Sequence, residues 1–548
     1  MWRLPKGSDF AVALAKGHLA STGVSYDDMH RPIIAIVNSW NDIVPGHVPL
    51  KQVSSWVRDG VLMAGGLPLE FNTIALCDGI AQGNAGMRYS LPSRELIADS
   101  IEIMVSGHGI FDGIVFVTAC DKITPAMLMA AMRLDLPCIF VTGGPMNHME
   151  TNSCRKRIRE AYLAGEVDER DLVTGGLGFY SGPGVCPFFG TANTMLVAAE
   201  ALGLALPNSS TIPFGLAERV YSCRDAGKRV VELVTNGVRP SRIATREAYI
   251  NAIRVLVALG GSLNALLHLP AIAAEHGVDV DWVDFDELSR TTPLLAALVP
   301  SGPHSAVDLH RAGGVPAVLN QLSPVLSEGA LTVAGLTIGQ IAESAPVKNP
   351  EVIHAFADPV HSQGGIAVLT GSLAPDGALI KTAALTDEDY VFSGPAAVFD
   401  DEAECTQAIL GGRVADGSAI VIRYQGPVGG PGMPELHLIT EVAARVKDSV
   451  VITDGRYSGA TGGPAIGYVS PEAQGGGAIA IVKDGDIIDV DVPNRRLDLC
   501  VHREELQARR SAWSAPEKTD VSGFLGTYAS SIGSARTGAR RIFGKQCD

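Results

Sequence analysis

The sequence predicts an α/β protein: an N-terminal domain on a doubly wound, mostly parallel sheet, then a smaller β-rich, barrel-like C-terminal domain. Three observations carry this reading. Continuously apolar β-type runs alternate with helical patterns over the first two thirds of the chain. From about Gly364, short β-type runs follow one another across glycine turns. And 548 residues exceed one ordinary hydrophobic core. The expected divisions are 1–345 for the first domain, 346–365 for a linker and 366–548 for the second domain.

In the first domain, residues 32–37 (PIIAIV) read as a strand running into the polar loop 38–42. Residues 113–118 (GIVFVT) form a second, ending at Ala119-Cys120-Asp121-Lys122, and 137–142 (PCIFVT) a third, ending at Gly143-Gly144-Pro145. Between the last two, residues 125–134 have helical spacing and Ala, Met and Leu content. Ligands of such sheets bind beyond the carboxyl ends of the strands, so a site is expected among these loops. In the second domain the β-type runs are 366–369, 378–383, 419–423, 450–453, 478–482 and 487–492, with helices over 402–410 and 438–446.

Composition narrows the function classes. Apolar residues make up 46% and charged residues 19%, so a large core forms and extensive disorder is excluded. A net charge of −16 argues against nucleic acid and anionic membrane as partners, while leaving room for a small anionic substrate held by a few local donors. The first ten residues lack the long apolar run of a secretion signal, and no stretch has the ~20 apolar residues that span a bilayer. A cytoplasmic protein is expected. Nine cysteines spread over the chain do not resemble a disulfide framework.

Three of those cysteines have special neighbours: Cys77-Asp78-Gly79, Cys120-Asp121-Lys122 and Gly184-Val185-Cys186-Pro187. Thiolates at loop or strand ends hold iron–sulfur clusters, and three ligands in place of four leave one iron open to substrate. Buried free cysteines are more commonly small apolar core residues, and spacings of 43 and 66 residues match no compact metal pattern. On spacing alone both readings stand.

Longer motifs decide between them. The runs 70–80 and 86–95, Ala119-Cys120-Asp121-Lys122, Gly190-Thr191-Ala192-Asn193-Thr194-Met195 and Gly260-Gly261-Ser262-Leu263-Asn264 closely resemble the dihydroxy-acid dehydratase and phosphogluconate dehydratase family. So do residues 308–316, Gly432-Met433-Pro434-Glu435-Leu436, residues 453–459 and Pro493-Asn494-Arg495-Arg496-Leu497, in the family's order. The resemblance implies an iron–sulfur cluster held by Cys77, Cys120 and Cys186. It further implies a divalent metal, Mg²⁺, near Asp121, Lys122 and Glu435, with Lys122 open to carbamylation. Ser458, otherwise a turn serine, matches the residue thought to take the C2 proton as an alkoxide. The implied reaction is a hydro-lyase step on a small anionic hydroxy acid, giving a 2-keto-3-deoxy acid, in a homodimer or dimer of dimers.

Two departures from the family pattern bear on detail. Members with a two-iron cluster place their first cysteine in the loop matching Pro45-Gly46-His47, where this chain has Gly46, and a glutamate ligand where it has Ala85. Both favour [4Fe–4S] over [2Fe–2S] and a weaker magnesium site. The motifs 186–190 and 433–437 resemble the sugar-acid branch, whereas Asn38-Ser39-Trp40-Asn41 and Ala312-Gly313-Gly314-Val315 resemble the branched-chain amino-acid branch. The balance favours an aldonate or 6-substituted aldonate, with the dihydroxy acid of branched-chain amino-acid biosynthesis as the alternative. Readings of other classes are a Ser458/Lys122 hydrolase and an inactive relative that binds ligand or structural zinc. His47, His268 and His310 are candidate neighbours of the site, and structural histidines on an equal footing.

Overall fold

The computed structural model describes residues 9–385, 390–436, 438–457, 463–517 and 521–542. The first domain is built on β1 (Ile33–Asn38), β2 (Leu67–Asn72), β3 (Gly113–Thr118) and β4 (Cys138–Thr142). They form a parallel sheet in the order β2-β1-β3-β4. β1, β3 and β4 are buried along their whole length, because helices cover both faces. β2 was not among the predicted strands: Pro68 and its alternating exposure belong to a sheet edge, and edges tolerate proline.

The second domain contributes β5 (Ala367–Leu369), β6 (Gly377–Ile380), β7 (Val391–Phe399), β8 (Ala419–Ile422) and β9 (Glu435–Leu436). It continues with β10 (Val450–Thr453), β11 (Arg456–Tyr457), β12 (Ala465–Ser470), β13 (Ile487–Asp491) and β14 (Arg496–Leu499). Eight of these strands pair in the order β14-β13-β7-β8-β10-β12-β6-β5. The sheet then nearly closes on itself: Thr370, just past β5, accepts from Leu497 N at 3.0 Å and donates to Arg495 O at 2.9 Å. Closure of this kind removes the unpaired edges of an open sheet. The fold is therefore α/β with a parallel N-terminal sheet and a barrel-like second sheet, as the sequence predicts.

One element differs in type. Residues 478–482 were expected as a strand, yet Ala478–Ile481 is a 3₁₀ helix, with Ala480 N bonded to Gly477 O at 3.0 Å. A short apolar run between glycines satisfies either geometry, and here burial beneath the barrel favours the helical turn. The last described residues leave the barrel and return to the first domain. Arg94, fully buried in the helix Ser90–His108, donates to Gly538 O at 2.9 Å and Ala539 O at 2.6 Å. No helix among the described residues is long and apolar enough to cross a membrane.

The helices Leu50–Met63 and Ala217–Asn236 cross where two glycines meet. A β-carbon at Gly60 would collide with the Arg224 carbonyl, and one at Gly227 with the Val57 carbonyl. Replacing Gly227 by Val forces the pair apart. The expected cost is about 1–3 kcal/mol of overpacking, read from the midpoint of denaturant unfolding.

Candidate active site

The carboxyl ends of all four parallel strands contribute to one site. The loop after β1 brings Pro45 and Gly46, the segment after β2 ends at Cys77 and Asp78, and Cys120, Asp121 and Lys122 follow β3. The loop after β4 pairs with the segment carrying Cys186: Val185 N bonds Gly144 O at 3.0 Å, Met146 N bonds Val185 O at 2.9 Å and Gly184 N bonds Pro45 O at 3.0 Å. Asn193 fixes the Cys186 loop from the other side, its Nδ2 donating to Cys186 O at 2.8 Å and Phe188 O at 2.6 Å.

Cys77, Cys120, Cys186, Asp78, Asp121 and Glu435 together line a cavity of about 120 Å³. Cys120 has φ of +63°, a left-handed conformation that non-glycine residues adopt at a cost. The room for its sulfur comes from Gly46, where a β-carbon would stand 2.5 Å from Cys120 Sγ. Burial raises the Cys120 thiol well above its ordinary pKa, and the negative charges of Cys77, Asp121 and Cys186 raise it further. Cys77 is raised by burial first and by Asp78 and Asp121 as well. A thiolate trio here therefore requires a bound cation.

The carboxylates form the hard half of the cavity. Oxygens of Asp78, Asp121 and Glu435 lie within 4.8 Å of one another and could hold a metal ion. Lys122 Nζ is 2.8 Å from Asp78 Oδ2, 3.4 Å from Glu435 Oε1 and 4.0 Å from Asp121 Oδ2. Arg456 is fully buried and bonds Glu435 Oε1, its neighbour in the parallel register of β9 and β11. Burial works against the Asp78 carboxylate, but Lys122 and Arg456 outweigh it and hold its pKa below the ordinary value. Asp121 is different. Burial, opposed by Lys122 and reinforced by Asp78 and Glu435, pushes it up to about 7.

Asn264 ties this cluster across the two domains. Its Oδ1 accepts from Tyr468 OH at 2.7 Å, which turns Nδ2 toward Thr191 Oγ1 at 2.8 Å and Glu435 Oε1 at 3.2 Å.

The structure thus brings together Cys77, Cys120, Cys186, Asp121, Lys122 and Glu435 as the sequence expected. Ser458 lies outside the described residues. Asp78 was missed as a metal-side acid, although the dipeptide Cys-Asp at 77–78 recurs at 120–121 with the same division of thiol and carboxylate. Ala85 is exposed in the turn Ala85–Tyr89 and does not line the cavity, while Asp78 brings a third carboxylate to Asp121 and Glu435. Arg456, Asn264 and Tyr468 were also missed, since only the packing of the domains brings them to Glu435. None of the three histidines lines the cavity. His47 is buried, bonds Ser39 O at 2.9 Å and has its pKa lowered to about 4 by burial. His268 Nδ1 lies 3.2 Å from the buried Arg94, and His310 bonds Glu218 at 3.2 Å.

Soft thiols on one part of a cavity and hard carboxylates on another define the site of a metal-assisted enzyme. Residues 31–341 match the dihydroxy-acid/6-phosphogluconate dehydratase N-terminal domain, and residues 351–539 its C-terminal domain. The chain is 48% identical over 531 residues to a dihydroxy-acid dehydratase of Ignicoccus hospitalis, covering 94% of this chain and 96% of that one. It is 46% identical over 534 residues to dihydroxy-acid dehydratase 1 of Methanosarcina acetivorans (95% and 96% covered). Over 529 residues it is 46% identical to the dihydroxy-acid dehydratase of Pyrococcus furiosus (94% and 95% covered). The chain belongs to the dihydroxy-acid/6-phosphogluconate dehydratase family. It is a hydro-lyase that dehydrates dihydroxy acids, which sets aside the hydrolase and inactive-relative readings.

Two variants test this geometry. Gly46→Ala presses on Cys120 Sγ and should lower the iron and sulfide retained after anaerobic purification, with the fold intact by circular dichroism. Asn264→Ala strips partners from Glu435 and Tyr468. It should cost about 1–3 kcal/mol of stability and weaken divalent-cation binding by titration calorimetry.

Proposed function

We propose that the protein removes water from a 2,3-dihydroxy carboxylic acid in the cavity between the parallel sheet and the barrel, giving a 2-keto-3-deoxy acid. The observation that supports this most directly is the division of that cavity into a thiol side and a carboxylate side. Cys77, Cys120 and Cys186 would hold an iron–sulfur cluster, and Asp78, Asp121 and Glu435, with Lys122 among them, would hold Mg²⁺. When bound, these groups supply Lewis acidity to the substrate oxygens. Lys122 and Arg456 hold the Asp78 carboxylate ionised, and Asn264 orients Glu435. Ser458, as an alkoxide, is the base: the C2 proton passes to its Oγ, the C2–H electrons form the enol double bond, the C3–O bond breaks, and the departing hydroxide takes the proton back from Ser458 Oγ–H to leave as water and restore the alkoxide. The enol then becomes the 2-keto acid.

The relatives are named for dihydroxy acids. That supports the dihydroxy acid of branched-chain amino-acid biosynthesis over the sugar acid favoured by the loop motifs. A [4Fe–4S] cluster is supported by Cys77 standing before Asp78-Gly79, with Gly46 rather than cysteine against Cys120. Exposed Ile43, Ile74, Ile80 and Leu96 around an open recess beside Cys77 support a homodimer.

Anaerobic purification should give about four irons and matching sulfide per chain, three cysteines serving as ligands. 2,3-Dihydroxyisovalerate should be converted to its 2-keto acid faster than gluconate. No iron together with no keto acid from either substrate would sink the reading. Ser458→Ala should lower kcat by at least about a hundredfold with the cluster's visible spectrum retained; loss of the spectrum would instead give Ser458 a structural role.

A further inference from the structure

One buried carboxylate of the second domain takes no part in the chemistry described above. Asp454 immediately follows β10 and stands two residues before Arg456 and four before Ser458. Its partners are backbone amides from two other segments. Gln425 N donates to Oδ1 at 2.8 Å, while Tyr424 N and Ala473 N donate to Oδ2 at 3.1 and 2.8 Å. β8, β10 and β12 are parallel neighbours, so Asp454 joins the carboxyl ends of three adjacent strands. Burial pushes its pKa up to about 6 against the pull of those amides, which leaves the group a carboxylate in neutral solution.

The amides at 424 and 425 open the loop that carries Glu435. Tyr424 has a φ of +60°, a conformation that is costly for a non-glycine residue and that its bond to Asp454 helps to hold. Further along, Glu472 accepts from Val428 N at 3.1 Å and Gly429 N at 2.7 Å. The loop then presses on the first domain so closely that a β-carbon at Gly432 would collide with the Arg88 carbonyl. Met433 O accepts from Arg456 Nε at 2.6 Å, and Arg456 bonds Glu435. Glu435 and Arg456 therefore sit on two segments, 424–436 and 454–457, and the Asp454 carboxylate ties the start of one to the start of the other.

We infer that Asp454 is a positioning residue: its carboxylate sets the loop 424–434 against the end of β10, and through that register places Glu435 and Arg456 for the divalent cation. This rests on the proposed cation site and adds the group that aligns two of its members. Asp454 does not itself line the cavity. Asp454→Asn keeps the size of the side chain but replaces one acceptor oxygen with an NH₂ group. Whichever way that amide turns, a donor then faces either Gln425 N or the amides of Tyr424 and Ala473.

The test titrates Mg²⁺ into the cluster-loaded enzyme by calorimetry and follows amide hydrogen exchange by mass spectrometry. Asp454→Asn should bind Mg²⁺ about tenfold or more weakly at unchanged stoichiometry, the usual effect of removing a group that orients a metal ligand. The cluster's visible spectrum should be retained, because its three cysteines belong to the first domain. Amides of 424–436 should exchange faster while those of β8 and β10 keep their protection. A merely structural role would lower the stoichiometry at unchanged Kd, bleach the cluster, or speed exchange over the whole barrel, and any of these would overturn the inference. Gly455→Ala reaches the same contact with the carboxylate intact, since its β-carbon would stand 2.7 Å from Gln425 Cβ. It should weaken Mg²⁺ in the same sense, and it decides alone should Asp454→Asn not fold. An unchanged Kd in both variants would overturn the inference. The cation site is checked separately with Glu435→Gln: Mg²⁺ binding that this change leaves intact counts against the proposed site, and exchange over 424–436 then decides the role of Asp454.

Discussion

Five buried or half-buried charges, Asp78, Asp121 and Glu435 against Lys122 and Arg456, are the constraint on which the two domains and their shared site depend. The acids at 78 and 121 and the lysine come from loops of the parallel sheet, while Glu435 and Arg456 come from paired two-residue strands beside the barrel. Removing such charges from water is costly, and only mutual pairing offsets it. Asp78 pairs with Lys122 and Glu435 with Arg456 within their own domains, and Lys122–Glu435 and Arg456–Asp78 contacts then join the two pairs across the domains. Three carboxyl groups against two cations leave the cluster suited to a further cation.

The network also explains why so much uncharged polar structure converges on one carboxylate. Asn264 is locked by Tyr468 and bonds Glu435, while Thr191 joins Asn264 to Ser262. Each link has its partner, so the array is rigid, and a rigid ligand carboxylate gives up little freedom when it binds metal. The thiol side reaches the same end by different means. Cys120 takes a left-handed backbone to aim its sulfur into the cavity, and Gly46 yields the space that sulfur occupies. Strain at one residue is accommodated by the absence of a side chain at another, more than seventy positions away in the sequence.

In the segment 146–190, Arg155, Arg159, Tyr180 and Phe188 line the cavity across from the carboxylates. Relatives identical at nearly half of their positions fix the reaction more firmly than the substrate.

Sequence by itself determined what is local or spelled out in long motifs. The continuous apolar runs gave β1, β3 and β4 almost to the residue, since strands buried on both faces have no polar positions to blur them. Cys77, Cys120, Cys186, Asp121, Lys122 and Glu435 were legible because each sits inside a motif whose order and wording are specific. β2 escaped because its proline belongs to an edge, and edge or centre is not written in a strand's own residues. The 3₁₀ turn Ala478–Ile481 escaped because a four-residue apolar run fits two geometries. Only the tertiary structure decided that Asp78 joins Asp121 and Glu435, that Asn264 and Arg456 meet across the domains, and that Arg155 faces the same cavity. The physical reason is distance along the chain. Contacts between residues hundreds of positions apart arise from how layers pack, and packing is a property of the whole chain that no local pattern carries.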